Sequence, residues 1–195
     1  MQSAREQALP GQAMSELKSG TADLHRQLEQ RLARTEHFSR RDRYIDYLSR
    51  LAAFHGGAED SWAGVLQPLL PDFQMRRKLG LLRRDLDYLG SEAPGSVPVP
   101  AVNDGAAALG AFYVLEGATL GGQVLLPLVA RTLGVDAEHG ASYLASYGPA
   151  VREMWARFGQ EVERHCRDGA AAAAAVAAAR ATFTALEACL CGARA

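Results

Sequence analysis

Residues 110–125, GAFYVLEGATLGGQVL, form an apolar stretch of helix length that carries glycines a helix would be more stable without. Each glycine inside a helix costs roughly 1 kcal/mol relative to alanine, so Gly110, Gly117, Gly121 and Gly122 together give up about 3–4 kcal/mol of intrinsic preference. Something in the fold therefore requires bare backbone there. At about 100° per residue, Gly110, Gly117 and Gly121 fall within a narrow arc of one helix face. A groove without side chains admits either a neighbouring helix or a flat ligand, and spacing alone favours the helix.

Composition narrows what such a groove can serve. The chain has 195 residues, 48% of them apolar, enough to bury one good core and close to the upper size of one compact domain. A formal charge of −1 provides no field for nucleic acid or an anionic membrane, so neither is expected as a partner. Cys189 and Cys191 are too close in sequence for an ordinary bridge, and paired Cys and His at metal-site spacing are absent, which fits a reducing compartment. The segment 1–16 lacks the apolar core of a signal peptide, so the expected location is cytoplasmic. The 105–130 stretch is long enough to be mistaken for a membrane span. Glu116, Gln123, Pro127 and Arg131 in or beside it favour a buried helix.

Taken in order, residues 1–12 read as a mobile arm and 13–195 as one all-α domain. Leu17, Leu24, Leu28 and Leu32 mark an amphipathic helix over about 15–34, with Thr21 filling the missing turn. His25 lies beside that stripe and shares a face with Lys18, Thr21, Glu29 and Leu32. Ser39 is placed to cap a second helix running to about Leu66, with Tyr44, Leu48, Leu51, Ala52, His55 and Trp62 on one side. A third helix is expected over 74–89, closed by Gly90, followed by a connector rich in Pro, Gly and Ser. Asn103 or Asp104 can cap the glycine-bearing helix, which ends at Gly134 and should kink at Pro127. A short helix within 136–147, a helix from Val151 to about Arg167 and a last helix built on the alanine run 170–179 complete six to eight helices without strands.

A lone histidine on an apolar helix face is usually a hydrogen-bonded core residue. Glu29, one turn further on, could instead accept a proton from one ring nitrogen and leave the other for a metal. There is no local signature of a nucleophilic triad, and Gly117-Ala-Thr-Leu-Gly121-Gly122 lacks the lysine and preceding strand of a phosphate loop. No Glu-x-x-His pair is present to build a di-iron site.

The stretch 112–124, FYVLEGATLGGQV, closely resembles the distal helix of heme oxygenases, above all the bacterial ones, and Leu17–Leu28, with Thr21, His25 and the adjoining Glu29, resembles their proximal helix. The likeness covers about 15–190 and implies the all-α heme oxygenase fold. It further implies heme as both cofactor and substrate, His25 as the axial ligand of its iron, and Gly117, Gly121 and Gly122 against the other heme face. Lys18 matches a position near the heme propionates; Thr21, Glu29, Tyr113 and Arg131 are the remaining cofactor-binding candidates it suggests, with Arg152 a looser one. A bare glycine wall leaves the sixth iron position free for dioxygen. Animal members carry an aspartate just after the first glycine of the motif where this chain has Ala118. Proton delivery must then be organised by other groups, with Glu116 and Gln123 as candidates whose simpler reading is an interhelical hydrogen bond.

The activity so implied is oxidative cleavage of heme by O2, with electrons from a separate reductase or ferredoxin, to biliverdin, carbon monoxide and ferrous iron. The likeness extends to members found with bacterial phytochromes, which would make a phytochrome an acceptor of the product. The alternative is a heme-carrying or scaffolding member of the fold that does not open the ring.

Overall fold

A computed structural model describes residues 11–192. The expected arm over residues 1–12 lies almost wholly outside the described residues, and Gln12 already belongs to the first helix. The helices are Gln12–Leu32 (α1), Arg41–Leu66 (α2), Phe73–Arg76 (α3), Leu79–Tyr88 (α4), Gly105–Leu133 (α5), Ser142–Ala145 (α6), Val151–His165 (α7) and Gly169–Cys191 (α8). Among the described residues there is no β-strand; an isolated bridge joins Asp136 and Gly140. The fold is all-α, as the periodicity predicts.

Several boundaries are set by contacts that local sequence does not contain. Ser39 does not cap α2: its hydroxyl donates to the Glu36 carbonyl at 3.2 Å, and Arg40 occupies the cap position, its guanidinium on Asp42 of the first turn. The expected third helix is two, α3 and α4, broken where Arg77 turns extended. That break lets the Glu59 carboxylate of α2 accept from the backbone N–H groups of Lys78 (2.6 Å) and Leu79 (2.9 Å), so a distant side chain satisfies the open end of α4. Within 136–147 only Ser142–Ala145 is helical, because the Asp136 carboxylate closes a turn on the N–H groups of Glu138 and His139. Asp104 rather than Asn103 caps α5, accepting from Ala107 N at 2.8 Å, and α5 runs on through Pro127 to Gly134 at φ 69°.

The central layer is α2, buried without interruption from Leu51 to Ala58. The extended segment 91–103 is strapped across it: Val97 N donates to Ala53 O at 3.1 Å and the Trp62 indole to Pro100 O at 2.9 Å. Glycine at position 57 is required here, since a Cβ would strike the Val97 carbonyl. Helices α1 and α5 both rest on α8. Gly110 lies against the backbone of Ala175, and Val176 sits over Gly20, so the alanine run of α8 is the narrow seat on which both helices converge. Beyond that seat the three helices part, and a wedge-shaped space opens between them.

Candidate active site

The wedge is a cavity of about 890 Å³ with a mostly apolar lining. One wall is α1, with His25, Leu28, Glu29 and Leu32; the facing wall is α5, with Tyr113, Gly117, Ala118, Gly121 and Leu125. Phe183, Leu186 and Leu190 of α8 form the floor, while Tyr47 of α2 and Tyr143 and Leu144 of α6 close the back. A volume in the range of about 300–1,000 Å³, apolar with a few placed polar groups, is that of a small-molecule site.

His25 is 58% exposed at its side chain because it faces this open space rather than the core. Its Nδ1 lies 3.5 Å from Glu29 Oε2, and the Phe183 ring meets it edge-on at 5.9 Å between centroids. One nitrogen is thus oriented by a carboxylate, which leaves Nε2 available to a ligand. Opposite, a Cβ at Gly121 would have no neighbour within 4 Å, and one at Gly117 would touch only the Trp155 ring at 3.8 Å. Gly122 borders the cavity too, but its Cβ position is 2.5 Å from the Leu144 carbonyl oxygen. Both readings of the glycine groove therefore hold on one helix: Gly110 and Gly122 admit neighbouring backbone, whereas Gly117 and Gly121 bare the wall of the cavity.

Other residues singled out in the sequence lie elsewhere. Thr21 is buried within α1 and donates to the Leu17 carbonyl at 2.6 Å; burial raises the Tyr113 phenol above its ordinary range, with the Thr21 hydroxyl beside it drawing it back. Lys18, Arg131 and Arg152 are exposed and, like Thr21, do not line the cavity. Gln123 donates to the carbonyls of Ala145 (3.0 Å) and Leu144 (3.4 Å), an interhelical tie between α5 and α6. Glu116 turns away from the cavity into a buried network. Arg76 pairs with it and with Asp72, and the Tyr147 hydroxyl donates to it at 2.7 Å. Burial pushes the Glu116 carboxyl up, and the Arg76 guanidinium and Tyr147 hydroxyl pull it back. Lys78, 3% exposed, sits over the Tyr147 ring, and desolvation lowers its ammonium to about 8.

Tyr143, one of the polar residues that line the cavity, is joined to a buried pair behind it. The Tyr143 hydroxyl lies 3.4 Å from His55 Nε2, and His55 Nδ1 lies 3.4 Å from Glu59 Oε1. His55 and Glu59 are each 2% exposed. Sequence reasoning places His55 on one side of α2 with Leu51 and Trp62 but has no means of joining it to a tyrosine 88 positions away.

The profile of the heme oxygenase family matches residues 12–190, nearly the whole described chain. The chain belongs to the heme oxygenase family. A heme oxygenase of Xanthomonas campestris pv. campestris (strain 8004) is 35% identical over 152 residues, covering 76% of this chain and 89% of that protein. In fold, the heme oxygenase of Neisseria meningitidis, solved in its NO- and CO-bound forms, superposes with a TM-score of 0.82 at 24% identity over 94% of this chain and 91% of that one. The heme oxygenase of Leptospira interrogans superposes with a TM-score of 0.75 at 16% identity, over 92% and 98% of the two chains. Family membership implies heme as substrate, with O2 and a reductase, and the cavity fits that group. A flat apolar ligand needs two close walls, one carrying a nitrogen donor and the other lacking side chains, and α1 and α5 supply them.

Proposed function

We propose that this heme oxygenase family member is an active enzyme that opens heme to biliverdin, carbon monoxide and ferrous iron, using O2 and electrons from a separate reductase or ferredoxin. The observation that carries the reading is the asymmetry of the two walls: an oriented imidazole on α1 faces the bare backbone of Gly117 and Gly121 on α5. His25 would hold the iron through Nε2, with Glu29 fixing the ring at Nδ1. Gly117 and Gly121 let the ligand approach the main chain, Gly122 seats the α6 backbone at the edge of the cavity, and Tyr113 closes the space beside Thr21. The apolar floor of Phe183, Leu186 and Leu190 excludes water from the ring. Bound heme supplies the redox-active iron and the macrocycle that is cleaved. Lys18 and Arg131, outside the lining, contribute only long-range attraction for the acidic arms. We place the activity in the cytoplasm, in a single domain over 13–195, with a phytochrome as an acceptor of the product; neither nucleic acid nor membrane is needed.

The test is a hemin titration of the purified protein followed by ascorbate or a reductase with product identification. Stoichiometric uptake followed by biliverdin and carbon monoxide is expected. Uptake without ring opening would instead identify a heme-carrying member of the fold. His25→Ala should lose the histidine-ligated spectrum and most turnover, with partial recovery in added imidazole. An unchanged spectrum would move the ligand to another histidine.

A further inference from the structure

Opening a porphyrin with O2 and electrons consumes protons, and along the α5 wall Ala118 and the glycines carry no acid, while the Tyr113 phenol has the Thr21 hydroxyl beside it and, among the described residues, no titratable group behind it. Glu116, the nearest carboxyl on that helix, is committed to Arg76 and Tyr147. Tyr143 lines the cavity, and its hydroxyl is tied to a buried titratable chain. Tyr143 is held there by two independent devices. Asp85 of α4, fully buried, accepts from Ser142 N (2.8 Å), Tyr143 N (2.8 Å) and the Ser142 hydroxyl (2.7 Å), while Gln123 and the close approach of Gly122 dock α6 onto α5. Behind the tyrosine stands His55, edge-on at 5.4 Å between ring centroids, and behind His55 stands Glu59.

We propose that Tyr143 and His55 form a one-proton store that serves the α5 side of the cavity, with Glu59 as the fixed anion that orients the imidazole and balances its charge. The proposal rests on the reading of this chain as a ring-opening enzyme. Glu59 suits the role of counter-ion rather than carrier. Desolvation pushes its carboxyl up, but the His55 ring and the backbone N–H groups of Lys78 and Leu79 outweigh it and hold the group at about 2, so it stays ionised through each transfer. On discharge, the Tyr143 O–H bond breaks toward an acceptor in the cavity and a new one forms with the proton leaving His55 Nε2. The ring ends neutral, with its Nδ1–H still on Glu59. Recharging runs the same exchange in reverse from water that enters the emptied cavity. This is the division of labour of an acid, its imidazole and an orienting carboxylate in other proton-transferring sites. The charged and titratable groups around the pair are Tyr44, Tyr47 and Glu59 on α2, Arg77 and Lys78 ahead of α4, Asp85 on α4 beneath the Tyr143 N–H, and Glu116 on α5; Arg77 Nε also donates to Glu59 Oε2 at 3.0 Å.

The test uses the full chain in two arms. In the heme-free protein, 15N NMR of the His55 ring should find the neutral form protonated at Nδ1, with the Nε2 resonance moved by Tyr143→Phe and the tautomer redistributed by Glu59→Gln. In the heme-loaded protein, Tyr143→Phe and His55→Gln should leave heme affinity within about twofold and slow ring opening at least about tenfold, with a changed pH profile and solvent deuterium isotope effect. Ring opening at the wild-type rate in both variants, or a His55 ring indifferent to both Tyr143→Phe and Glu59→Gln, overturns the proposal. If the wild-type protein binds heme without opening it, the proposed activity fails, and the NMR arm still decides whether the pair is coupled. Thermal melts of Tyr143→Phe, which removes a single oxygen, separate a lost proton path from a lost fold.

Discussion

The two walls of the cavity are held in opposite ways. The α5 wall is embedded: Gly110 presses on the backbone of α8, Gly122 on that of α6, and Glu116 is locked to a buried Arg76. The α1 wall is clasped to α8 from outside, by Arg180 on Asp23 (2.8 Å) and the Gly20 carbonyl (2.6 Å), and by Arg31 on Glu187 (2.8 Å) with Gln27 alongside. Asp23 and Arg180 are about half exposed, so solvent and salt weaken their attraction. Close backbone packing has one arrangement, whereas exposed ion pairs re-form at little cost. The α5 wall is therefore the more deeply anchored of the two, and the wall bearing His25 is the one whose hold depends in part on exposed ion pairs.

The largest effect expected from testing this contrast is on the embedded side. Arg76→Met strands Glu116 without its cation at 1% exposure and should cost about 3–5 kcal/mol in denaturant melts. Replacing Glu116 by Met in the same chain should recover part of that loss. Next come the glycines as matched pairs. Gly110→Ala and Gly122→Ala drive a methyl into backbone and should cost about 1–3 kcal/mol, whereas Gly121→Ala, which meets open space, should be neutral or stabilising by up to about 1 kcal/mol. Gly121→Leu should keep the helical signal and block hemin uptake. Wholesale unfolding would mean that Gly121 is a packing glycine after all.

Acid sharpens the comparison further. Glu59, buried on α2, and Asp23, exposed on α1, are both held at about 2 in the fold, below their ordinary values of 4.5 and 3.8. A depressed carboxyl stabilises the fold above its unfolded value and loses that contribution as pH falls toward the folded one. Melting temperature should thus decline as pH falls from about 4.5 to 2. High salt should abolish the part that Asp23→Asn removes and largely spare the part that Glu59→Gln removes, because both members of the Asp23–Arg180 pair are exposed whereas the Glu59 carboxylate is buried. The smallest expected effect is Arg180→Met, about 0–1 kcal/mol in global stability. Amide exchange in α1 should nevertheless quicken while that in α5 stays unchanged; equal acceleration in both helices would erase the distinction between the walls.

What could be foreseen follows the range of the interactions. Helices α1, α5 and α8 are written in local periodicity, and His25 with Glu29 lies within one turn, so that wall is legible before any folding is considered. The glycines declared that bare backbone was needed but not by what, because Gly110 and Gly121 share an arc while one meets the backbone of α8 and the other open space. The break between α3 and α4 was invisible since Glu59, which stabilises it, belongs to another helix. The Tyr143–His55 contact is equally non-local, as is the Arg76–Glu116 pair. Neither Ser142-Tyr-Leu-Ala nor Met75-Arg-Arg-Lys carries a local pattern that would announce them.

The alanine run of α8 has a consequence for how this chain can vary. To a sequence comparison, 170–179 is nearly uniform text, yet Ala172, Ala175 and Ala179 are buried and Ala170, Ala173 and Ala177 are exposed. Their information lies in position, not in identity. A saturation library should split this stretch into a stripe that rejects even serine-sized growth where α5 leans on Ala175, and alternating sites that accept almost any helix former. Ancestral drift along α8 is then channelled: the outer register can change freely while the inner one stays at the smallest side chain that still has a Cβ.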